Sequence, residues 1–171
     1  MSAGRSTFAP ATAETDSSAG AVRLALYQPD IPGNAGNMLR TAAALGVPVD
    51  LIGPLGFVLD DKRLKRAGMD YLKHAEIVRH VSWEAFRGGL GRRRLLLLTT
   101  GGDTAYTDFK FRPGDVIVVG QESAGVPERI HAMAAARLRI PLRPGLRSLN
   151  VAAAAAMVLG EVLRQLNGFP K

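Results

Sequence analysis

The 171-residue chain contains no cysteine. That excludes disulfides, zinc–thiolate sites, iron–sulfur clusters and every mechanism that needs a thiol nucleophile. Long hydrophobic runs are missing too: the longest uncharged apolar stretch, residues 148–160, has 13 residues, too few to span a bilayer. No membrane partner is therefore expected. Acidic side chains are scarce beside basic ones, 15 against 22, which leaves a net charge of +7. Such a bias favours a polyanion such as nucleic acid as partner, although a generic basic protein would show the same balance. The dinucleotide fingerprint GxGxxG is absent, which weakens a standard dinucleotide site. His74, His80 and His131 have no metal-ligand spacing and read as structural or surface residues, so no metal is expected. What remains is a chain 47% hydrophobic, enough for one core, and of a length that suits one domain.

Residues 1–20 stand apart. Fifteen of them are Ala, Ser, Thr, Gly or Pro, a composition that buries too little apolar area to offset its ordering entropy. They carry Arg5 against Glu14 and Asp16 and lack the basic start and apolar run of a secretory signal. The expectation is a flexible tail, with residues 21–171 forming the domain.

From Val22 onward, short apolar runs alternate with helical segments. Strands are expected at 22–27, 49–52, 77–81, 95–99, 116–119 and 138–140. Helices are expected at 32–45, ended by Gly46, at 61–67, after Ser82 to Gly88-Gly89, after Pro127, and from Ser148 to about Leu166. Strands that are apolar throughout, separated by helices, indicate an α/β fold: a parallel sheet covered by helices on both faces. Ligands in such sheets gather at loops beyond the carboxyl ends of the strands.

Three of those loops are unusual. In the first, Asn34, Asn37 and Arg40 lie on one face of a helix start, where amides, a guanidinium and free N–H groups suit a phosphate or ribose. The other reading is that Asn34 caps the helix and Arg40 is a solvated charge. In the second, Gly120-Gln121-Glu122-Ser123-Ala124-Gly125-Val126-Pro127 resembles a phosphate loop but lacks its Lys-Ser/Thr. Gly120 lets a ligand approach the backbone and Glu122 sets a carboxylate beside it, or the segment is a tight turn with a helix-start Glu. The third, 140–150, is stiffened by Pro141 and Pro144 and carries Arg143, Arg147, Ser148 and Asn150, of which the last two also suit caps. The basic residues of 60–66, together with Arg92, Arg93 and Arg94, fit either a helix dipole or a phosphate-binding surface.

Taken together, Asn34-x-x-Asn37-x-x-Arg40, Gly120-x-Glu122-x-x-Gly125-Val-Pro127 and Ile140-Pro through Arg147-Ser148-x-Asn150 resemble the three motifs of the SPOUT superfamily of RNA methyltransferases. The blocks from Leu24 to Pro32 and from Gly56 to Tyr71 are similar to the small stand-alone branch that methylates the wobble nucleotide of tRNA, the TrmL (YibK-like) type. The match covers about residues 22–169; Ala124 departs from it, since relatives commonly carry a basic residue there. The resemblance implies a cytoplasmic, S-adenosylmethionine-dependent ribose 2′-O-methyltransferase, a C-terminal trefoil knot, a homodimer, and the tRNA anticodon stem-loop as partner. It implies a cofactor held by backbone around Leu98, Gly120, Ile140, Ser148 and Leu149. The matching catalytic and substrate-binding positions are Asn34, Arg40, Glu122, Ser148 and Asn150. Another tRNA or rRNA site, or a non-catalytic RNA-binding role on the same fold, is the alternative.

The residue inventory fits that chemistry. Methylation of a base carbon through a covalent adduct would need a cysteine, whereas ribose methylation needs an oriented hydroxyl, a route for its proton and in-line access to the methyl donor. Arg40 suits phosphate holding and alkoxide stabilisation better than proton abstraction, because a guanidinium is almost never deprotonated. Glu122 would orient a neighbour or balance the sulfonium charge. The final helix is apolar nearly all round, so a second copy is expected to cover part of it. Val158 is taken, on helical pattern alone, as an interface position.

Overall fold

The computed structural model describes residues 20–58 and 69–171. The elements run β1 (Arg23–Tyr27), α1 (Pro32–Leu45), β2 (Val49–Ile52), a 3-10 segment (Met69–His74), β3 (Ile77–His80), α2 (Trp83–Gly88), β4 (Leu95–Leu98), β5 (Thr104–Ala105), a 3-10 turn (Tyr106–Asp108), β6 (Val116–Val119), α3 (Glu128–Met133), β7 (Ala136–Arg139) and α4 (Val151–Leu166). Seven strands form one sheet in the order β3-β2-β1-β6-β4-β7-β5, and every pairing is parallel.

The central strands β4 and β6 are apolar on both sides because both faces are covered. Leu24, Leu26, Leu51, Ile117 and Val119 face a core that holds Met38, Leu39 and Ala42 of α1 and Val158, Leu159 and Val162 of α4. Their neighbours Ala25, Tyr27, Ile52, Val116 and Val118 face the opposite layer, filled by Trp83, Phe86 and Ile130. Each such fully buried aliphatic side chain contributes about 1.5–3 kcal/mol.

Local chemistry sets the element ends. Pro32 supplies a fixed φ at the start of α1, and Gly46, with φ of 67°, closes it by donating to the carbonyls of Ala42 and Ala43. Ser82 caps α2 by accepting from the Ala85 amide at 3.1 Å.

Several details differ from the sequence reading. The last long strand is Ala136–Arg139, two residues earlier than the apolar run suggests, because Ala136 to Leu138 pair with Leu96 to Leu98 and Ile140 leaves the sheet. The two-residue β5 is too short to leave a pattern in sequence. The final helix starts at Val151, with Ser148 and Leu149 in the preceding loop. Val158 is fully buried in this chain's own core and is not an interface position. The exposed side of α4 carries Ala153, Met157 and Arg164 instead. The helix expected at 61–67, the basic residues of 60–66, and the tail before Gly20 lie outside the described residues.

Two charges sit inside the sheet where the sequence suggests only apolar strands. Arg23 and Asp50 are each about 4% exposed and form a two-point ion pair at 2.7 and 3.1 Å. His80 at 2.8 Å and Glu76 at 3.2 Å complete the cluster. Burial opposes ionisation of Asp50, but His80 and Arg23 outweigh it and hold its pKa below the ordinary carboxylate value. A second buried carboxylate, Asp115, is clamped by Arg94 through two bonds of 2.8 Å.

Candidate active site

A cavity of about 860 Å³ opens where β4, β6 and β7 end, as expected for ligands in parallel sheets. Its wall comes from separate parts of the chain, chief among them three strand ends and the start of α1. The β4 end supplies Leu98, Thr99 and Thr100, and the β6 end supplies Gly120, Gln121 and Glu122. The loop after β7 supplies Ile140, Leu142, Leu146, Arg147, Ser148, Leu149 and Asn150, and α1 supplies Asn34.

Gly120 is required by close approach. A Cβ there would lie 2.6 Å from the Gly125 carbonyl carbon, well inside contact distance. The turn it opens is closed by reciprocal bonds between Gln121 and Gly125 at 3.0 and 2.9 Å. Within that turn Glu122 points inward. Both its carboxylate oxygens are buried, and neither completes a hydrogen bond. Burial and the adjoining Asp30 carboxyl push its pKa up. Asp30 itself is held at about 2, through its contact with the Glu122 carboxyl and the Ser123 hydroxyl.

Asn150 joins the first motif to the third. Its Oδ1 accepts from the amides of Ala152 (2.9 Å) and Ala153 (3.2 Å), which caps α4. Its Nδ2 donates to Asn34 Oδ1 at 2.9 Å, across 116 residues of sequence. Asn34 is not a cap: α1 begins at Pro32 behind Ile31, which makes no side-chain cap bond.

Of the residues selected from sequence, Asn34, Glu122, Ser148 and Asn150 line the cavity, as do Leu98, Gly120, Ile140 and Leu149. Arg40 does not. Six residues along α1 from Asn34, about 9 Å at the helical rise, it is exposed and its guanidinium stacks 4.8 Å from the centre of the Tyr71 ring. Arg147 reaches the wall and Arg143 does not. His131 and Arg139 also line the cavity, although neither carried a signal in sequence. His80 and His74 lie elsewhere, the first on Asp50 and the second exposed. Among the described residues, no group of three or more His, Asp or Glu is placed to hold a metal ion. Among the same residues no helix is long and apolar enough to cross a membrane.

A parallel α/β sheet with a polar-and-apolar cavity at its strand ends, walled by loops carrying amides and a buried carboxyl, defines a ligand-binding protein of the α/β class. The particular family is shown by comparison: residues 21–160 match the SpoU rRNA methylase family, and the chain belongs to it. Among relatives, it is 58% identical over 150 residues to a tRNA (cytidine(34)-2'-O)-methyltransferase of Beijerinckia indica, covering 86% of this chain and 94% of that one. The protein of the same name from Escherichia coli K12 is 39% identical over 151 residues, with 87% and 96% covered. A structure described as giving insights into 2-OH methylation of C/U34 on tRNA superposes with a TM-score of 0.82 at 45% identity, covering 87% of this chain and 98% of that one. The SpoU methyltransferase AviRb of Streptomyces viridochromogenes, solved with AdoMet, gives a TM-score of 0.74 at 28% identity, with 88% and 60% covered.

Proposed function

We propose that this protein transfers the methyl group of S-adenosylmethionine to the ribose 2′-hydroxyl of the wobble nucleotide, a cytidine or modified uridine, in the tRNA anticodon loop. The observation that carries the reading is the meeting of the three motif loops on one cavity, with Asn34 bonded to Asn150 and the buried Glu122 carboxyl set beside Asn34 and Asp30. The relatives' names supply the substrate.

The residues present fit the cofactor. The volume falls within the usual range of about 300–1,000 Å³ for small-molecule sites. Leu98, Ile140 and Leu149 offer apolar surface and backbone polar groups to an adenosine, and Gly120 leaves its backbone open to close approach. Glu122 matches a cationic sulfonium, since a buried carboxylate set beside a second carboxyl is costly until a positive charge arrives. Bound there, the cofactor supplies an electrophilic methyl group.

The protein's own contribution is orientation and charge. Asn34 and Asn150 form a rigid amide pair at the cavity edge, able to fix a ribose hydroxyl. Ser148 adds a hydroxyl at the same edge. Arg40, on the exposed flank of α1, suits the phosphate next to the target ribose rather than the reacting oxygen.

Two further expectations belong to this reading. A trefoil knot at the C-terminal end is expected from membership of the SpoU methylase family. A homodimer, working in the cytoplasm where tRNA is, is supported by the exposed apolar side chains of Ile31, Leu146, Leu149 and Met157 on and around α1 and α4. Sedimentation equilibrium at micromolar concentration tests the dimer, and Met157→Glu is expected to weaken it.

The decisive test is nucleoside mass spectrometry of tRNA incubated with the protein and S-adenosylmethionine. A 2′-O-methyl group at the wobble ribose is expected. Methylation at a different position, or none with folded protein and unmethylated tRNA, would overturn the assignment.

A further inference from the structure

The inward direction of Glu122 has a cause outside its own motif. Asp30, in the loop between β1 and α1, accepts the Glu122 amide on Oδ1 at 3.1 Å, and its Oδ2 takes the Ser123 hydroxyl. These two bonds fasten the Gln121–Gly125 turn to a loop more than ninety residues away in sequence. A third segment fixes Asp30 in turn. The Gly56 amide donates to the Pro29 carbonyl at 3.1 Å, and a Cβ on Gly56 would lie 2.8 Å from the Asp30 Cα.

We propose that Asp30 is a positioning residue for methyl transfer: its carboxylate anchors the backbone of Glu122 and Ser123 and thereby aims the Glu122 carboxyl into the cavity beside Asn34. The inference rests on Glu122 being part of the reacting site. An exposed Asp–Ser contact alone would be ordinary surface chemistry, but here the turn that it fastens carries a buried carboxyl without a hydrogen-bond donor.

The placement has a second consequence. Two carboxyl groups side by side titrate as a pair, and the one with better hydrogen bonds ionises first. Asp30 carries that charge at about 2, and Glu122 is raised by burial first and by Asp30 next. The other titratable or charged groups on the cavity wall are His131 of α3, Arg139 of β7 and Arg147 of the loop before α4; α1 contributes only the neutral Asn34. Removing the Asp30 charge therefore lets Glu122 ionise at lower pH.

The experiment uses the full-length protein, unmethylated tRNA and S-adenosylmethionine, with single-turnover rates measured across pH. Asp30→Asn keeps an acceptor for the Glu122 amide but removes the charge. Its acidic limb is expected at lower pH than that of the wild type. Asp30→Ala frees the turn, and its rate is expected to fall by about 10- to 100-fold. Calorimetric binding of S-adenosylhomocysteine, whose sulfur is uncharged, is expected to stay within about threefold in both variants, which shows the pocket folded. Glu122→Gln is the reference and is expected to lose the limb. Wild-type rate and limb in both Asp30 variants, with Glu122→Gln impaired, would overturn the positioning role alone. An unimpaired Glu122→Gln would overturn the site reading itself. If Asp30→Ala does not fold, the limb of Asp30→Asn decides.

Discussion

Asn150 performs two tasks with the two ends of one amide, and substitution separates them. Its oxygen caps α4 through the Ala152 and Ala153 amides, and its nitrogen holds Asn34 at 2.9 Å. Asn150→Ala removes both. Loss of such a cap costs about 1 kcal/mol, which in a chain of this size lowers Tm by about 2–4 °C. Asn150→Asp keeps the acceptor, and its charge at a helix start adds about 0.3–1 kcal/mol. It also replaces the donor facing Asn34 Oδ1 with an oxygen, so the pair separates or the Asn34 amide turns over, and in both cases the donors and acceptors left for a ribose hydroxyl change. Melting by differential scanning fluorimetry and single-turnover transfer to tRNA are measured on the same preparations. The expected result is a Tm within about 2 °C of wild type for Asn150→Asp but a rate lowered by about 10- to 100-fold, the scale for a misplacement of about 1 Å. Asn150→Ala loses both Tm and rate. An Asn150→Asp variant with wild-type rate would reduce the residue to a helix cap and refute the argument from the Asn34 contact.

Three other outcomes follow from the same geometry. Asp50→Ala leaves Arg23 buried beside only the exposed Glu76 and the partly exposed His80, so about 3–5 kcal/mol of stability is lost in urea melts. The combined Arg23→Met and Asp50→Leu variant recovers most of it. Because the folded pKa of Asp50 is depressed, its contribution is fully present above the ordinary carboxylate range. It disappears as pH falls through the folded value, which urea midpoints measured from pH 7 downward will follow. Gly120→Ala forces open a turn whose Gly125 carbon stands 2.6 Å from the added methyl, and about 1–3 kcal/mol of strain is expected. To the extent that this strain opposes the bound geometry, S-adenosylhomocysteine affinity measured by calorimetry falls by up to about 5- to 150-fold, at about tenfold per 1.4 kcal/mol. Arg40→Ala lowers methyl transfer by about 10- to 100-fold, the scale for lost positioning, while S-adenosylhomocysteine affinity stays constant, since Arg40 is not on the cavity wall; a near-normal single-turnover rate would leave it a surface charge stacked on Tyr71.

Where local pattern carried the information, sequence and structure agree closely. Residues 32–45 form a helix because Pro32 and Gly46 punctuate it, and Ser82 caps as its side chain permits. The strands at 95–98 and 116–119 are apolar at every position because helices cover both faces. The errors fall where the deciding partner is remote. Val158 belongs to the same helical pattern as Met157, and only the position of the sheet shows which one turns inward.

The sequence by itself determined the α/β class, the parallel sheet and the three loops that bear chemistry, since each depends on periodicity, breakers and residue type within a few positions. Only the tertiary structure decided that Arg23 and Asp50 neutralise each other inside the sheet, that Asn34 meets Asn150, and that Asp30 holds the turn which directs Glu122. It also decided that Arg40 stands outside the cavity that the other four residues share. Spacing along a helix specifies which face a side chain takes. How far that face lies from a loop a hundred residues away depends on strand order and on the packing of two layers against one sheet, which no local pattern encodes.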